Sequence, residues 1–273
     1  MEKNSDLKEE YNYYNSECNN AIEDVETLRD LGIILSSDGT YGSHINKVVA
    51  KCRQKTGWVN RTFFRNSVDF KRNIWRTYIQ SLVDYGSQIW APIDPGNIAK
   101  LEQILKSFSK GIHNLETMNY WERLKTLKLS SIQRRMERYR IMYVWKTVTG
   151  KVPNFGLTWD SNQRRGRMIN IRTYRSDTPA HAKNIIDQSL GVHGGNLFNL
   201  LPVELRNFEG PTDQFKVLLD DFLTNIPDKP LCEGLYPDPI NNITCKNSNS
   251  LTDWIYHLKL RDRRLAVDPI ECL

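Results

Sequence analysis

The chain has 273 residues, 39% of them hydrophobic and 26% charged, with a formal charge of +6; this excludes a wholly disordered polymer and leaves room for a sizeable core. No apolar run reaches the ~18 residues a membrane-spanning helix needs, and the acidic start MEKNSDLKEE lacks the pattern of a secretion or transit signal, so an intracellular setting, nucleus or cytoplasm, is expected. Cys18, Cys52, Cys232, Cys245 and Cys272 are scattered and odd in number, which argues against a disulfide framework or an ordinary zinc site.

Residues 1–29 read as an acidic leader. Within 1–30, nine acidic side chains stand against three basic ones, a net of −6 that leaves +12 on the remainder. Few apolar residues and clustered like charges predict a weakly ordered segment, or a helical fragment without a partner. The run LGIIL at 31–35, followed by SSDG, reads as a short strand entering a turn.

From 30 to 150 the pattern is that of a helical bundle. Ser43 is the expected cap of a helix with Ile45, Val48, Val49, Cys52, Thr56, Val59 and Phe63 on one face. Ser67 is placed to cap the next, with Phe70, Ile74, Tyr78 and Leu82 aligned, and that helix is expected to end near Gly86. Asn97 opens a third, carrying Ile98, Leu101, Leu105, Phe108 and Ile112; a short helix follows from Asn119. Ser131 starts a fifth, with Ile132, Met136, Tyr139 and Tyr143 in register and Gly150 at its C′ position. The short loops favour antiparallel neighbours.

Beyond Gly150 the segment 151–230 is rich in Gly, Pro and Asn and reads as irregular. Met168–Tyr174 alternates weakly, as a strand would, and a helix is expected over about 212–225, capped by Thr212. Residues 231–273 read as a loose tail without periodicity. The expected fold is therefore mainly α: a helical bundle, a short N-terminal strand and turn, and an irregular C-terminal region ending in a helix and tail.

Asp220–Asp221 is the one Asp-Asp pair in the chain. Adjacent aspartates after an apolar run are how polymerases present carboxylates to two metal ions. Here Phe215, Leu218, Leu219, Phe222 and Leu223 have helical spacing and no turn residue precedes the pair, so the aspartates are read as a solvated helix flank. No catalytic residue, metal site or cofactor is assigned. No nucleophile–base pairing, phosphate loop or metal-ligand histidine spacing occurs.

Several phrases in fixed order carry a resemblance. They are Asp30-Leu31-Gly32, Ser43-His44-Ile45, Leu82-Val83-Asp84-Tyr85 with Trp90-Ala91-Pro92, and Tyr120-Trp121-Glu122-Arg123-Leu124, then LFNLLPVELRN and FKVLLDDFLTNIPDKP. Together, from about residue 28 to 230, the chain resembles the region downstream of the catalytic core in jockey-like non-long-terminal-repeat retrotransposon reverse transcriptases. The family is an RNA-directed DNA polymerase whose palm carries an aromatic-Ala-Asp-Asp metal motif, and that motif has no counterpart here. The resemblance thus implies a thumb-like bundle with the family's C-terminal segment, and no polymerase activity of its own. Activity would need carboxylates supplied in trans, which sub-ångström metal placement disfavours.

A thumb grips its template–primer duplex by the backbone, so it needs cations without a base-reading code. The resemblance therefore points to Lys47, Lys51, Lys55, Arg61, Arg65, Lys71, Arg72 and Arg76 as phosphate contacts, with Trp58 beside them to stack on a base or sugar, although core packing is commoner for Trp. Arg164, Arg165 and Arg167 form a second candidate group in a glycine-containing loop, and Arg134, Arg135, Arg138, Arg140 and Lys146 form another basic cluster. The expected partner is nucleic acid, with a palm-and-fingers polypeptide as a further candidate. The alternative is an interaction or structural protein, using apolar surface left by the missing palm.

Overall fold

A computed structural model of the chain describes residues 12–15, 18–21, 25–65, 67–162, 165–230 and 249–267. Two antiparallel hairpins come first: β1 (Asn12–Asn15) with β2 (Cys18–Ala21), and β3 (Thr27–Asp30) with β4 (Ile33–Ser36). The leader thus supplies strands rather than a helical fragment. The β3–β4 turn lies at Leu31 and Gly32, whose φ values are 45° and 87°. Gly32 adopts this freely. Leu31 is held there from outside, because Tyr85 Oη donates to its carbonyl at 2.7 Å. The strand expected in LGIIL therefore begins only at Ile33, which is buried.

The body is mainly α-helical. α1 (Gly42–Thr62) buries Ile45, Val49, Cys52, Thr56 and Val59 as their spacing predicts, and His44 as well. His44 Nδ1 accepts the Ile34 N–H at 3.3 Å, and its ring meets Trp90 edge-on at 5.0 Å. Burial lowers the His44 pKa from its usual value, which keeps Nδ1 available as an acceptor. Tyr41 holds the N-cap position without a side-chain bond, so Ser43 lies inside the first turn and is not the cap.

Ser67 does cap α2 (Val68–Ile74), its Oγ accepting the Phe70 N–H at 3.2 Å. A π turn over Trp75–Ile79 joins α2 to α3 (Gln80–Asp84). The buried row is Lys71, Trp75, Ile79 and Val83, one residue away from the expected Phe70, Ile74, Tyr78 and Leu82. Four-residue steps overshoot an α-turn, and the wider π turn absorbs the overshoot, so this row stays inward.

α4 (Ser87–Trp90) follows Gly86, which has φ 62°. α5 (Pro95–Lys110) is capped by Asp94, whose Oδ2 accepts the Asn97 N–H at 2.8 Å, with Pro95 at the first position; it therefore starts before Asn97. α6 (Tyr120–Leu127) carries a full capping box between Asn119 and Glu122. α7 (Ile132–Val148) is capped by Ser131 Oγ and ends before Gly150, at φ 69°.

Beyond Gly150, β5 (Trp159–Asn162) pairs antiparallel with β6 (Gly166–Ile169). α8 (Ala180–Gln188), a π turn over Leu190–Gly194, α9 (Gly195–Asn199) and α10 (Val203–Arg206) then make helical a stretch whose glycines and prolines predict irregular structure. Gly194 and Gly195 serve close packing: a Cβ on Gly194 would lie 3.0 Å from Val144 Cγ2, and one on Gly195 2.9 Å from Ile169 Cγ2. α11 (Thr212–Thr224) has Pro211, not Thr212, at its N-cap. α12 (Leu251–Val267) lies within the segment expected to be a loose tail.

Two hydrophobic cores share α7. Ile132 and Met136 close the first, built on α1–α6; Ile141, Val144, Trp145 and Val148 enter the second with Phe198, Phe215, Leu251 and Trp254. Trp145 stacks on Phe215 at 4.1 Å, with ring planes 4° apart. Where the cores meet, the start of α7 is wrapped in carboxylates. Glu102 accepts the Ile132 N–H at 3.0 Å, Asp228 the Ser131 N–H at 2.7 Å, and Glu137 the Leu251 N–H at 3.1 Å. Among the described residues no helix is long and apolar enough to cross a membrane.

Candidate nucleic-acid interface

The family-like phrases turn out to be architecture. Asp30-Leu31-Gly32 meets Leu82-Val83-Asp84-Tyr85 through the Tyr85–Leu31 bond, and Trp90 Nε1 donates to the Tyr85 carbonyl at 2.8 Å. Arg123 donates to Ser109 Oγ at 3.0 Å, and Tyr120 Oη to Glu102.

The cations of α1 are arranged differently. Lys47, Lys51, Lys55 and Trp58 follow at steps of four, four and three residues, so they form one row along the helix. Lys47, Lys51, Arg61 and Arg65 are exposed. No Asp or Glu occurs between Asp38 and Asp69, so nothing in this stretch neutralises them. Lys55 is half-buried, with its Nζ 3.5 Å from the centroid of the Tyr78 ring.

The α2–α3 cations divide. Lys71 is fully buried, its Nζ 3.4 Å from both the Val59 carbonyl and Asn60 Oδ1. Burial lowers its pKa. It therefore leaves the set of phosphate contacts, because the one-residue shift of the α2 face turned it inward. Arg72 is paired with Asp69 at 2.8 Å. Arg76 is exposed, and donates to the Lys128 carbonyl at 2.9 Å.

Trp58 is 48% exposed, so it is not the core residue its size suggests. It sits edge-on to Phe63 at 5.6 Å and 6.1 Å from Tyr78, and Phe63 in turn meets Phe70 at 5.3 Å. Helical spacing places Phe70 and Tyr78 on the packed face, so spacing alone does not show this cluster. The signal was available in the density of aromatic residues among cations from 55 to 78.

The other basic groups do not join this surface. Arg165 is exposed on the β5–β6 hairpin, while Arg167 is paired with Glu209 and held at its backbone N–H by Asn207 Oδ1, 2.9 Å away. Arg164 lies outside the described residues. This hairpin packs with the second core, apart from α1. The α7 arginines are structural rivets: Arg134 reaches the Pro227 carbonyl at 3.0 Å, Arg135 pairs with Asp84 at 2.6 Å, and Arg140 reaches the Ala91 carbonyl at 2.5 Å. Arg138 pairs with Asp220, and Asp221 is exposed. Among the described residues no group of three His, Cys, Asp or Glu side chains is arranged to hold a metal ion.

A Caenorhabditis elegans protein described as uncharacterized protein B0403.1 is 28% identical over 127 residues, covering 44% of this chain. The chain spans 60% of the length of that curated relative. No family model matches the chain, and no solved structure matches it.

Proposed function

We propose that this chain is a nucleic-acid-binding module without polymerase chemistry of its own, the thumb and C-terminal part of a retrotransposon-type reverse transcriptase. One observation carries the reading: Lys47, Lys51, Arg61 and Arg65 stand exposed on and just beyond α1 with no acidic side chain between Asp38 and Asp69. Such a row suits the regular charge of a nucleic-acid backbone, where bound cations release counterions. The order of the family-like phrases supports the wider assignment.

The test is titration of a primer–template duplex at several salt concentrations. Affinity should fall steeply with salt and depend little on sequence, and each of Lys47→Glu and Lys51→Glu should weaken binding and lower the salt slope by about one. Absence of binding at low salt, or indifference to salt, would sink the reading. Primer extension by the purified chain would overturn the denial of catalysis.

A second reading rests on a different surface. Leu28, Leu31, Tyr85 and Ile89 are exposed by 56%, 81%, 58% and 47% on and around the β3–β4 hairpin. An apolar patch of this kind suits an interaction protein. Light scattering that finds a clean monomer, with no binding of a hydrophobic dye, counts against it.

A further inference from the structure

The aromatic cluster beside the cationic row has no structural need to face water. A tryptophan gains most from full burial, yet Trp58 is 48% exposed, with Phe70 at 39% and Tyr78 at 41% around it. Exposed aromatic patches of this kind mark binding surfaces. The rings also brace one another. Phe63 and Tyr78 both lie against the indole, at 5.6 Å and 6.1 Å. Lys55 holds its ammonium over Tyr78 at 3.5 Å and stands one turn from Trp58 on the same helix face. A braced, half-open indole thus lies next to a cation, in a stretch without acidic counter-charge.

We infer that this surface takes unpaired nucleic acid, with Trp58 stacking on an exposed base while Lys51 and Lys55 hold the adjoining phosphates. This deepens the nucleic-acid reading above and rests on it. Duplex DNA or RNA hides its base faces in the stack and offers an indole nothing but backbone. A single strand, an overhang or a frayed primer end offers both faces and phosphate together, the combination that sequence-tolerant single-strand binders use. Charge chooses among other occupants of an aromatic patch: a protein segment fitting here would itself have to be strongly acidic, whereas a nucleic-acid strand supplies anion and ring at every step.

The experiment compares the full-length chain with Trp58→Ala and Trp58→Phe. The probes are an oligodeoxythymidine of about 16 nucleotides, roughly one site length, and a blunt duplex of equal length. Trp58→Ala should weaken single-strand binding about tenfold and leave duplex binding within about twofold, as the loss of one stacked base requires. Trp58→Phe should recover most of the loss, and it should abolish part of the tryptophan quenching that the oligonucleotide causes in the unmodified chain. Equal losses on both probes, or no loss on either, overturn the stacking inference alone, provided the unmodified chain still binds with a steep salt dependence. If the unmodified chain binds neither probe at low salt, the charge reading falls and this inference with it. Binding to phosphatidylserine vesicles without binding to the oligonucleotide would overturn the inference in favour of a lipid surface. Since Trp58 is half exposed, Trp58→Ala should keep the helical circular dichroism of the unmodified chain, and Trp58→Phe keeps the test decisive if it does not.

Discussion

Arg138 and Asp220 meet across 82 residues of chain, the guanidinium Nη2 donating to Asp220 Oδ2 at 2.7 Å and fastening α11 to α7. The first carboxylate of the Asp-Asp pair is thus a helix-to-helix tie. Asp220 is still half exposed, with 52% of its side chain accessible, so solvent screens the pair. Asp220→Asn should cost at most about 1 kcal/mol in urea unfolding. Asp84 is a sharper case. Its side chain is 19% accessible, and it accepts from Arg135 at 2.6 Å, Tyr139 Oη at 3.0 Å and Gln80 Nε2 at 3.1 Å. Asp84→Ala removes the acceptor that three donors share and should cost about 2 to 3 kcal/mol. Equal costs at the two sites would contradict this account of burial.

Glu102 and Glu137 give the protein an unusual pH dependence. Both are buried, and desolvation pushes each carboxyl up from 4.5 to about 7. Tyr120 and the Ile132 N–H, for Glu102, and Arg134, for Glu137, pull in the other direction without prevailing. Between about pH 4.5 and pH 7 the folded state therefore holds protons that the unfolded state has lost. Their contribution is fully present at the acid end and is lost as pH rises through about 7, roughly 3 kcal/mol for each group. In urea unfolding, stability should fall from the acid to the neutral end of this window. Glu102→Gln should flatten that fall relative to the unmodified chain, and a parallel pair of curves would refute the assignment.

The separation between legible and hidden features follows from how each is encoded. Caps announced themselves where a short polar side chain preceded an apolar run, as at Ser67, Asn119 and Ser131. Gly150 stopped α7 as glycine at C′ should. The π turn at Trp75–Ile79 leaves no mark in the spacing, so the face that α-helical spacing predicts for α2 is off by one residue and Lys71 reads as a surface cation. Arg134 and Arg140 also looked like surface charge, because burial of a guanidinium depends on carbonyls brought from 226–227 and 91 by the tertiary fold. Gly194 and Gly195 read as loop residues, although they are helical and small for the sake of close contact. The aromatic part of the candidate site was lost with the α2 face, while the α1 cations were readable from spacing alone.

Lys71 offers a direct check on that displaced face. Its ammonium is buried with two long contacts, to the Val59 carbonyl and Asn60 Oδ1, both at 3.4 Å. Methionine matches its length without the desolvation cost of a charge. Lys71→Met should leave stability unchanged or raise it by up to about 1 kcal/mol, and should not alter oligonucleotide affinity. Lys51→Met should do the reverse, weakening binding at constant stability. A loss of affinity on Lys71→Met, with the thermal midpoint unchanged, would return Lys71 to the interface.

Gly86 marks the junction where the hairpin meets the helical body. Its φ is 62°, and a Cβ there would stand 2.8 Å from Ile33 Cδ1. Alanine would meet both a disfavoured backbone region and a buried neighbour. Gly86→Ala should lower stability by about 1 to 3 kcal/mol, whereas Tyr85→Phe, which removes only an exposed hydroxyl bond, should cost about 1 kcal/mol or less. If alanine is tolerated without loss, the close approach of β4 to this turn is wrong.

The last helix tests whether the C-terminal segment belongs to the fold. Leu251, Trp254, Ile255 and Leu258 recur at the spacing of one helix face, behind Ser250, whose Oγ accepts the Asp253 N–H at 3.3 Å. That signal is present in the sequence, but the residues before it are polar and aperiodic and mask it. Leu251, Trp254 and Ile255 are buried in the second core, and Trp254 Nε1 donates to the Lys229 carbonyl at 2.6 Å. Ending the chain after residue 248 would strip these side chains from the second core, expose apolar residues packed there, and leave the buried Glu137 without the Leu251 N–H. The shortened chain should bind a hydrophobic dye and lose several kcal/mol of stability, since each large buried side chain contributes roughly 2 to 5 kcal/mol. If its urea transition instead overlays that of the full chain, α12 packs on nothing that matters, and the second core must close without it.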